Sequence, residues 1–218
     1  MTRLQGAEGR AQGAEGRGQK TEVRRGNSCA LRPAPCALVL ALLLTGCGIF
    51  KRVPNQFYAL DTIPAEATRA ARTGTPIGID GIELPPGIDR RGIVLRGADN
   101  KLEVRGTHQW ASPLEEMVIH TLAFDLANRL PEGMVILPGQ AKPSGAMRSL
   151  YVTFEDLAPG PDRVFVLDAR WSLTAPGKTE LTHHEQITIP MESAESPAVV
   201  AAMSQALATL ADRIVAGI

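Results

Sequence analysis

The short apolar run from Ala37 to Leu44, closing in Leu44-Thr45-Gly46-Cys47, constrains what this chain can fold into more than any other feature. A leucine, two small residues and a cysteine behind an apolar core make the lipobox read by bacterial lipoprotein signal peptidase. That enzyme needs small side chains ahead of the cut and a cysteine whose thiol already carries lipid. The run is far shorter than the roughly 20 residues of a spanning helix, and Arg24, Arg25 and Arg32 flank it, so it reads as a signal-peptide core. Gly26-Asn27-Ser28 lacks the apolar residues expected behind a twin-arginine pair, which favours Sec export. Pro33 and Pro35 upstream, with Gly46 and Gly48 around the cysteine, argue against a buried helix. Cleavage is therefore expected between Gly46 and Cys47, with Cys47 as the lipidation site and first mature residue.

This cut sets the expected organisation. Residues 1–22 form a low-complexity extension in which Gly6-Ala7-Glu8-Gly9-Arg10 recurs as Gly13-Ala14-Glu15-Gly16-Arg17. The repeat has nothing to bury in a coiled-coil seam, and translation is expected to start later, near Val23. Residues 23–46 are the signal peptide, 47–56 a lipidated tether, and 57–218 one periplasmic domain. Removing 46 of 218 residues leaves 172, enough for one proper core.

Composition narrows the function. Seven of the 23 Lys/Arg and three of the 23 Asp/Glu precede Cys47, leaving sixteen basic against twenty acidic residues, a net charge of −4. Such a domain has no electrostatic footprint for nucleic acid and no basic patch for anionic lipid, so attachment to a membrane falls to the acyl chains. One myristoyl chain binds with roughly 10⁴ M⁻¹, whereas two already anchor stably. Cys29 and Cys36 lie in the leader and Cys47 is acylated, so the mature domain is expected to have no disulfide, thiolate nucleophile or cysteine metal ligand.

The patterning predicts strands at Phe57–Leu60 and Ile77–Leu84, the second carrying a bulge because Gly81 shifts its alternation by one residue. Ile93–Arg96 and Leu102–Val104 flank a turn at Gly97–Asn100 and predict a hairpin. Ser112-Pro113-Leu114-Glu115 predicts a capped helix start, and Leu114, Val118, Leu122, Leu126 and Leu130 form its apolar stripe before Pro131 stops it. After a short strand at Val135–Leu137, three segments (Ser149–Leu157, Val164–Thr174, Leu181–Ile189) predict an antiparallel meander. A last helix opens at Ser196-Pro197, with Val200, Met203, Leu207, Leu210 and Ile214 on one face. The expected fold is α+β, a single domain with one mainly antiparallel sheet packed against two helices.

The search for chemistry points away from catalysis. His183 and His184 are adjacent on a strand, so they face opposite sides and do not chelate one metal together. No HExxH, GxSxG, P-loop or GxGxxG spacing occurs. Glu115-Glu116 sits in a first helical turn, where the dipole favours negative charge. No catalytic residue, metal site or cofactor is expected.

Several of these residues carry a resemblance: Phe57-Tyr58-Ala59-Leu60, Leu84-Pro85, Ile88-Asp89-Arg90 with Ile93-Val94, Asn100 and Leu102, and above all Trp110-Ala111-Ser112-Pro113-Leu114. In this order the chain resembles the PqiC/YmbA family of ABC-type transport auxiliary lipoproteins. Ser112 stands where an acidic residue is common in that family, and Pro86-Gly87 alter the turn. The resemblance implies a non-enzymatic lipoprotein that docks an MCE-domain protein of an intermembrane lipid transport system, with an ABC permease and ATPase in the inner membrane. It implies Asp89, Arg90 and Trp110 as partner contacts or as residues ordering the loop beside them. Because MCE proteins form rings, a homo-oligomer is compatible with it. Gly48 is not the aspartate that retains enteric lipoproteins at the inner membrane, so the expected location is the inner leaflet of the outer membrane. The competing expectations are a lipid-binding carrier and an assembly lipoprotein of another envelope complex.

Overall fold

The computed structural model describes residues 53–65, 74–97, 101–160, 162–177 and 181–218. The leader, Cys47 and most of the tether lie outside these residues, as does most of the turn after Gly97. Ten elements follow one another: β1 (Gln56–Tyr58), β2 (Ile77–Glu83), β3 (Gly92–Arg96), β4 (Leu102–Trp110), α1 (Leu114–Arg129), β5 (Val135–Ile136), β6 (Arg148–Pro159), β7 (Val164–Thr174), β8 (Leu181–Pro190) and α2 (Ser196–Gly217).

The strands build two sheets, one of order β1-β4-β3 and one of order β5-β2-β6-β7-β8. In the larger sheet β6, β7 and β8 form the expected antiparallel meander, with Leu150, Phe154 and Leu157 opposite Leu173, Ala169 and Leu167. Their apolar residues alternate onto one face: Leu150, Val152 and Phe154 on β6, and Phe165, Leu167, Ala169, Trp171 and Leu173 on β7, are all buried. Both helices cover that face and pack on each other, α2 over β7 and β8 and α1 over β2 and β5. Each buried leucine of the α1 stripe is worth about 1.5–3 kcal/mol, so this layer dominates the energetics.

α2 is long and apolar enough to cross a membrane, with a mean hydropathy of 1.4 over its most apolar window. Its burial explains that composition: Val199, Met203, Leu207, Leu210, Ile214 and their neighbours face the sheet and α1. Gly217 ends it against Trp171, where an added Cβ would lie 3.0 Å from the indole ring.

The α+β, single-domain expectation holds, with three differences in detail. First, the strands divide between two sheets. Second, β2 pairs in parallel with both β5 and β6, although the ladders are otherwise mostly antiparallel. Parallel neighbours require a long crossover, and here it runs through β3, β4, α1 and β5; no local pattern announces such a return. Third, Ser112 does not cap α1. The N-cap position falls on Pro113 and carries no side-chain cap bond. The Pro113 carbonyl instead accepts the Met117 N–H at 3.2 Å, and Glu115 and Glu116 occupy the first turn. The bulge expected near Gly81 is present, as a register shift between Ile79 and Gly81 that leaves Asp80 unpaired in the ladder.

Candidate functional site

The loop between β2 and β3 is built to hold three charged residues in solvent. Gly87 has φ 91, in the left-handed region that a side chain disfavours. Buried Ile88 pins the loop from below; its N–H donates to the Pro85 carbonyl at 3.4 Å, and the Arg90 N–H donates to the Ile88 carbonyl at 2.7 Å. The chain thus reverses at Asp89 and presents Asp89, Arg90 and Arg91 outward. Gly92 then lets the loop descend onto β4, since a Cβ there would lie 2.7 Å from the Arg105 carbonyl.

Main-chain bonds fasten this loop to its neighbours. The Trp110 N–H donates to the Arg91 carbonyl at 2.9 Å, and the Ala111 N–H to the Tyr58 carbonyl at 2.8 Å. Phe57, the Asp89–Arg91 loop and the Trp110–Pro113 turn therefore surround one cleft of about 410 Å³. Phe57 is 59% exposed beside it, while Trp110 is 4% exposed, with an indole N–H that has no partner among the described residues. Trp110 thus orders the cleft from below, and the open contact surface belongs to its neighbours. The structure brings Asp89, Arg90 and Trp110, the residues expected at a partner contact, around one cleft. It adds Phe57 and Arg91, which the sequence analysis did not single out for contact. A signal for Phe57 existed: two adjacent aromatics on a strand, Phe57-Tyr58, must face opposite ways, so one leaves the core.

Several charges on the larger sheet and its neighbours are paired. Arg96 grips Asp156 through two bonds of 2.6 and 2.7 Å, Arg170 meets Glu155 at 2.6 Å, and Lys142 meets Asp80 at 2.8 Å. The Lys142 ammonium, with the Ser149 hydroxyl, holds the Asp80 carboxyl below its ordinary range. Asp89, Arg90 and Arg91 have no ion-pair partner among the described residues. One carboxylate, two guanidiniums and an aromatic surface thus line one cleft.

A second polar cluster is buried between the helices. Asp125 is fully buried; its Oδ1 accepts the Ile63 N–H at 2.9 Å, and Oδ2 has no partner among the described residues. Burial raises its pKa from the ordinary carboxylate value of 3.8 to about 6, against the opposing pull of the Ile63 N–H and Arg129. Arg129, 4% exposed, donates to the carbonyls of Ile63 (3.1 Å) and Asp125 (2.9 Å) and forks onto Asp212 at 2.8 and 3.2 Å. The Asp61 N–H donates to Ser204 Oγ at 3.1 Å. The segment after β1 is in this way strapped across both helices.

On the outer face of the larger sheet, Glu155, Asp168 and His184 each bring one ligand-type atom within 4.8 Å of the others. The sequence search did not find this trio, because its members come from three strands with no shared spacing. Arg170 sits on Glu155, and His184 Nε2 lies 2.6 Å from Asp168, so the carboxylates already have cationic or polar neighbours. The two adjacent histidines diverge as expected: His183 stacks on Trp171 at 4.3 Å, while His184 faces Asp168.

Comparison with known proteins places this arrangement. The model of the family described as ABC-type transport auxiliary lipoprotein component matches residues 58–215. The intermembrane transport lipoproteins PqiC of Escherichia coli (strain K12) and of Shigella flexneri are each 25% identical over 142 residues, 64% of this chain and 73% of theirs. Among solved structures, an uncharacterized protein superposes with a TM-score of 0.62 at 18% identity, over 74% of this chain and 97% of its own. A protein from Xanthomonas campestris superposes at 0.55 and 16% identity, over 73% and 92%. At these identities the two structures speak for the fold alone.

Proposed function

Because the chain belongs to the family of ABC-type transport auxiliary lipoprotein components, we propose that it is a non-catalytic docking subunit, held to the outer membrane by acyl chains on Cys47. Its place is the cell envelope, as an auxiliary lipoprotein of a transport system. The finer reading is that signal peptidase cuts between Gly46 and Cys47 and that the lipidated segment 47–56 leads into a domain facing the periplasm. That domain receives an MCE-domain protein whose system includes an ABC permease and ATPase. The PqiC relatives, as intermembrane transport lipoproteins, support a partner that carries material between membranes.

The observation that supports the docking reading is the cleft where exposed Asp89 and Arg90, with Trp110 beneath them, stand beside exposed Phe57. Such a surface suits a protein contact, because aromatic and arginine side chains anchor interfaces. Crosslinking followed by pull-down of the tagged full chain should recover an MCE protein, and Cys47→Ala should move the chain out of the membrane fraction. Recovery of no MCE protein, together with stoichiometric phospholipid on the purified domain, would replace docking with the carrier reading.

A further inference from the structure

Resting on that docking reading, we infer that the cleft seats an extended acidic segment of the partner, with one apolar side chain lodged between Phe57 and the Trp110–Pro113 turn and its carboxylates on Arg90 and Arg91. Three observations carry this. Arg90 and Arg91 are adjacent, exposed and without an ion pair among the described residues, on a chain that is net acidic beyond the lipobox. A local positive rim on a negative domain draws an acidic partner toward this spot and steers others away. Next to that rim, Phe57 is the most exposed aromatic among the described residues, and the cleft of about 410 Å³ has room for a large side chain but not for a folded element. Finally, β1 is an edge strand of the small sheet, its outer side without a partner strand among the described residues. An extended segment adds to such an edge by main-chain hydrogen bonds and is read through its side chains. With only three residues in β1, the side chains supply most of the selectivity.

Asp89 refines the choice. Its carboxylate beside the two guanidiniums leaves one net positive charge, so the seat fits one or two acidic residues better than a long acidic run. Trp110 contributes by position: its N–H binds the Arg91 carbonyl and its ring is buried beneath the cleft.

The test uses the full-length acylated chain in its own envelope, with p-benzoylphenylalanine in place of Phe57 and the photo-joined segment sequenced by mass spectrometry. The joined segment should carry Asp or Glu within a few residues of an apolar side chain. A synthetic peptide of that segment should then bind the purified full chain. Arg90→Glu with Arg91→Glu should weaken it about tenfold or more, and changing the peptide's acids to lysines should restore binding to that variant. Phe57→Ala should weaken binding as well, whereas Arg213→Glu, on the exposed side of α2, should not. A join to phospholipid would overturn the proposal in favour of a membrane seat. A joined segment without carboxylates, or one indifferent to the double reversal, would overturn it too. If the tagged chain still pulls down its partner while nothing joins at position 57, the seat is elsewhere and docking stands; if neither occurs, docking itself falls.

Discussion

Arg129 and the Arg90–Arg91 pair show two opposite treatments of the same side chain. Arg129 lies buried between α1 and α2 and makes four hydrogen bonds, to Ile63, Asp125 and Asp212. Arg90 and Arg91 stand in solvent on the rim of the cleft with no ion pair among the described residues. Burying a cation without partners costs several kcal/mol, so the helix interface supplies them. An exposed cation costs little when left alone, so the rim remains open to a partner from outside. Burial therefore decides where a cation must be paired, and separates the part of this molecule that holds itself together from the exposed part proposed to bind.

That contrast breaks first at Arg129. Arg129→Met would leave Asp125 buried without its cation and release Ile63, costing about 3 kcal/mol or more. For a domain of this size that is a fall in Tm of roughly 10 °C, readable by calorimetry. A loss below about 1 kcal/mol would mean the cluster is not holding the helices.

Asp125 sharpens the comparison through pH. Its folded pKa is raised to about 6 from 3.8, so between these values the native state holds the proton more firmly than the unfolded chain. Its contribution is therefore fully present below about pH 4 and is lost as pH rises through about 6, a loss on the order of 3 kcal/mol at most. Asp80, whose pKa is lowered by Lys142 and Ser149, contributes in the opposite sense, its stabilisation fading as pH falls toward acid. The test is accordingly a difference. Urea unfolding of the natural chain and of Asp125→Asn, between pH 4 and 7, should show the decline in the first and not in the second; parallel curves would refute the assignment.

The smallest effect is expected at the rim. Phe57→Ala, or Arg90→Ala with Arg91→Ala, should leave stability within about 0.5 kcal/mol of the natural chain, since these side chains are exposed and hold nothing in place. A large loss there would move the cleft from the binding side of the comparison to the structural one.

Much of this was readable beforehand where the signal is local. The four-residue stripe of α1, the period of α2, the β6–β8 meander and the phase shift at Gly81 all express a geometry that repeats within a dozen residues. The parallel placement of β2 beside β6 was not readable, because about seventy residues separate the partners Ile79 and Leu150 and nothing between them encodes the return. Asp125, Arg129 and Ser204 each look like ordinary helix-surface residues in the sequence; only helix packing buries them where they hold Asp61 and Ile63. The Glu155–Asp168–His184 trio escaped for the same reason.

By itself the sequence determined the elements, the two apolar helix faces, the family pattern carried by Trp110–Leu114, and the expectation of a lipid anchor at Cys47. It did so because period, turn chemistry and signal motifs are written in neighbouring residues. Only the tertiary structure decided which charges find partners. It drew Asp89, Arg90, Arg91, Trp110 and Phe57 around one cleft, since whether a charge is paired depends on what packs beside it, not on what precedes it in the chain.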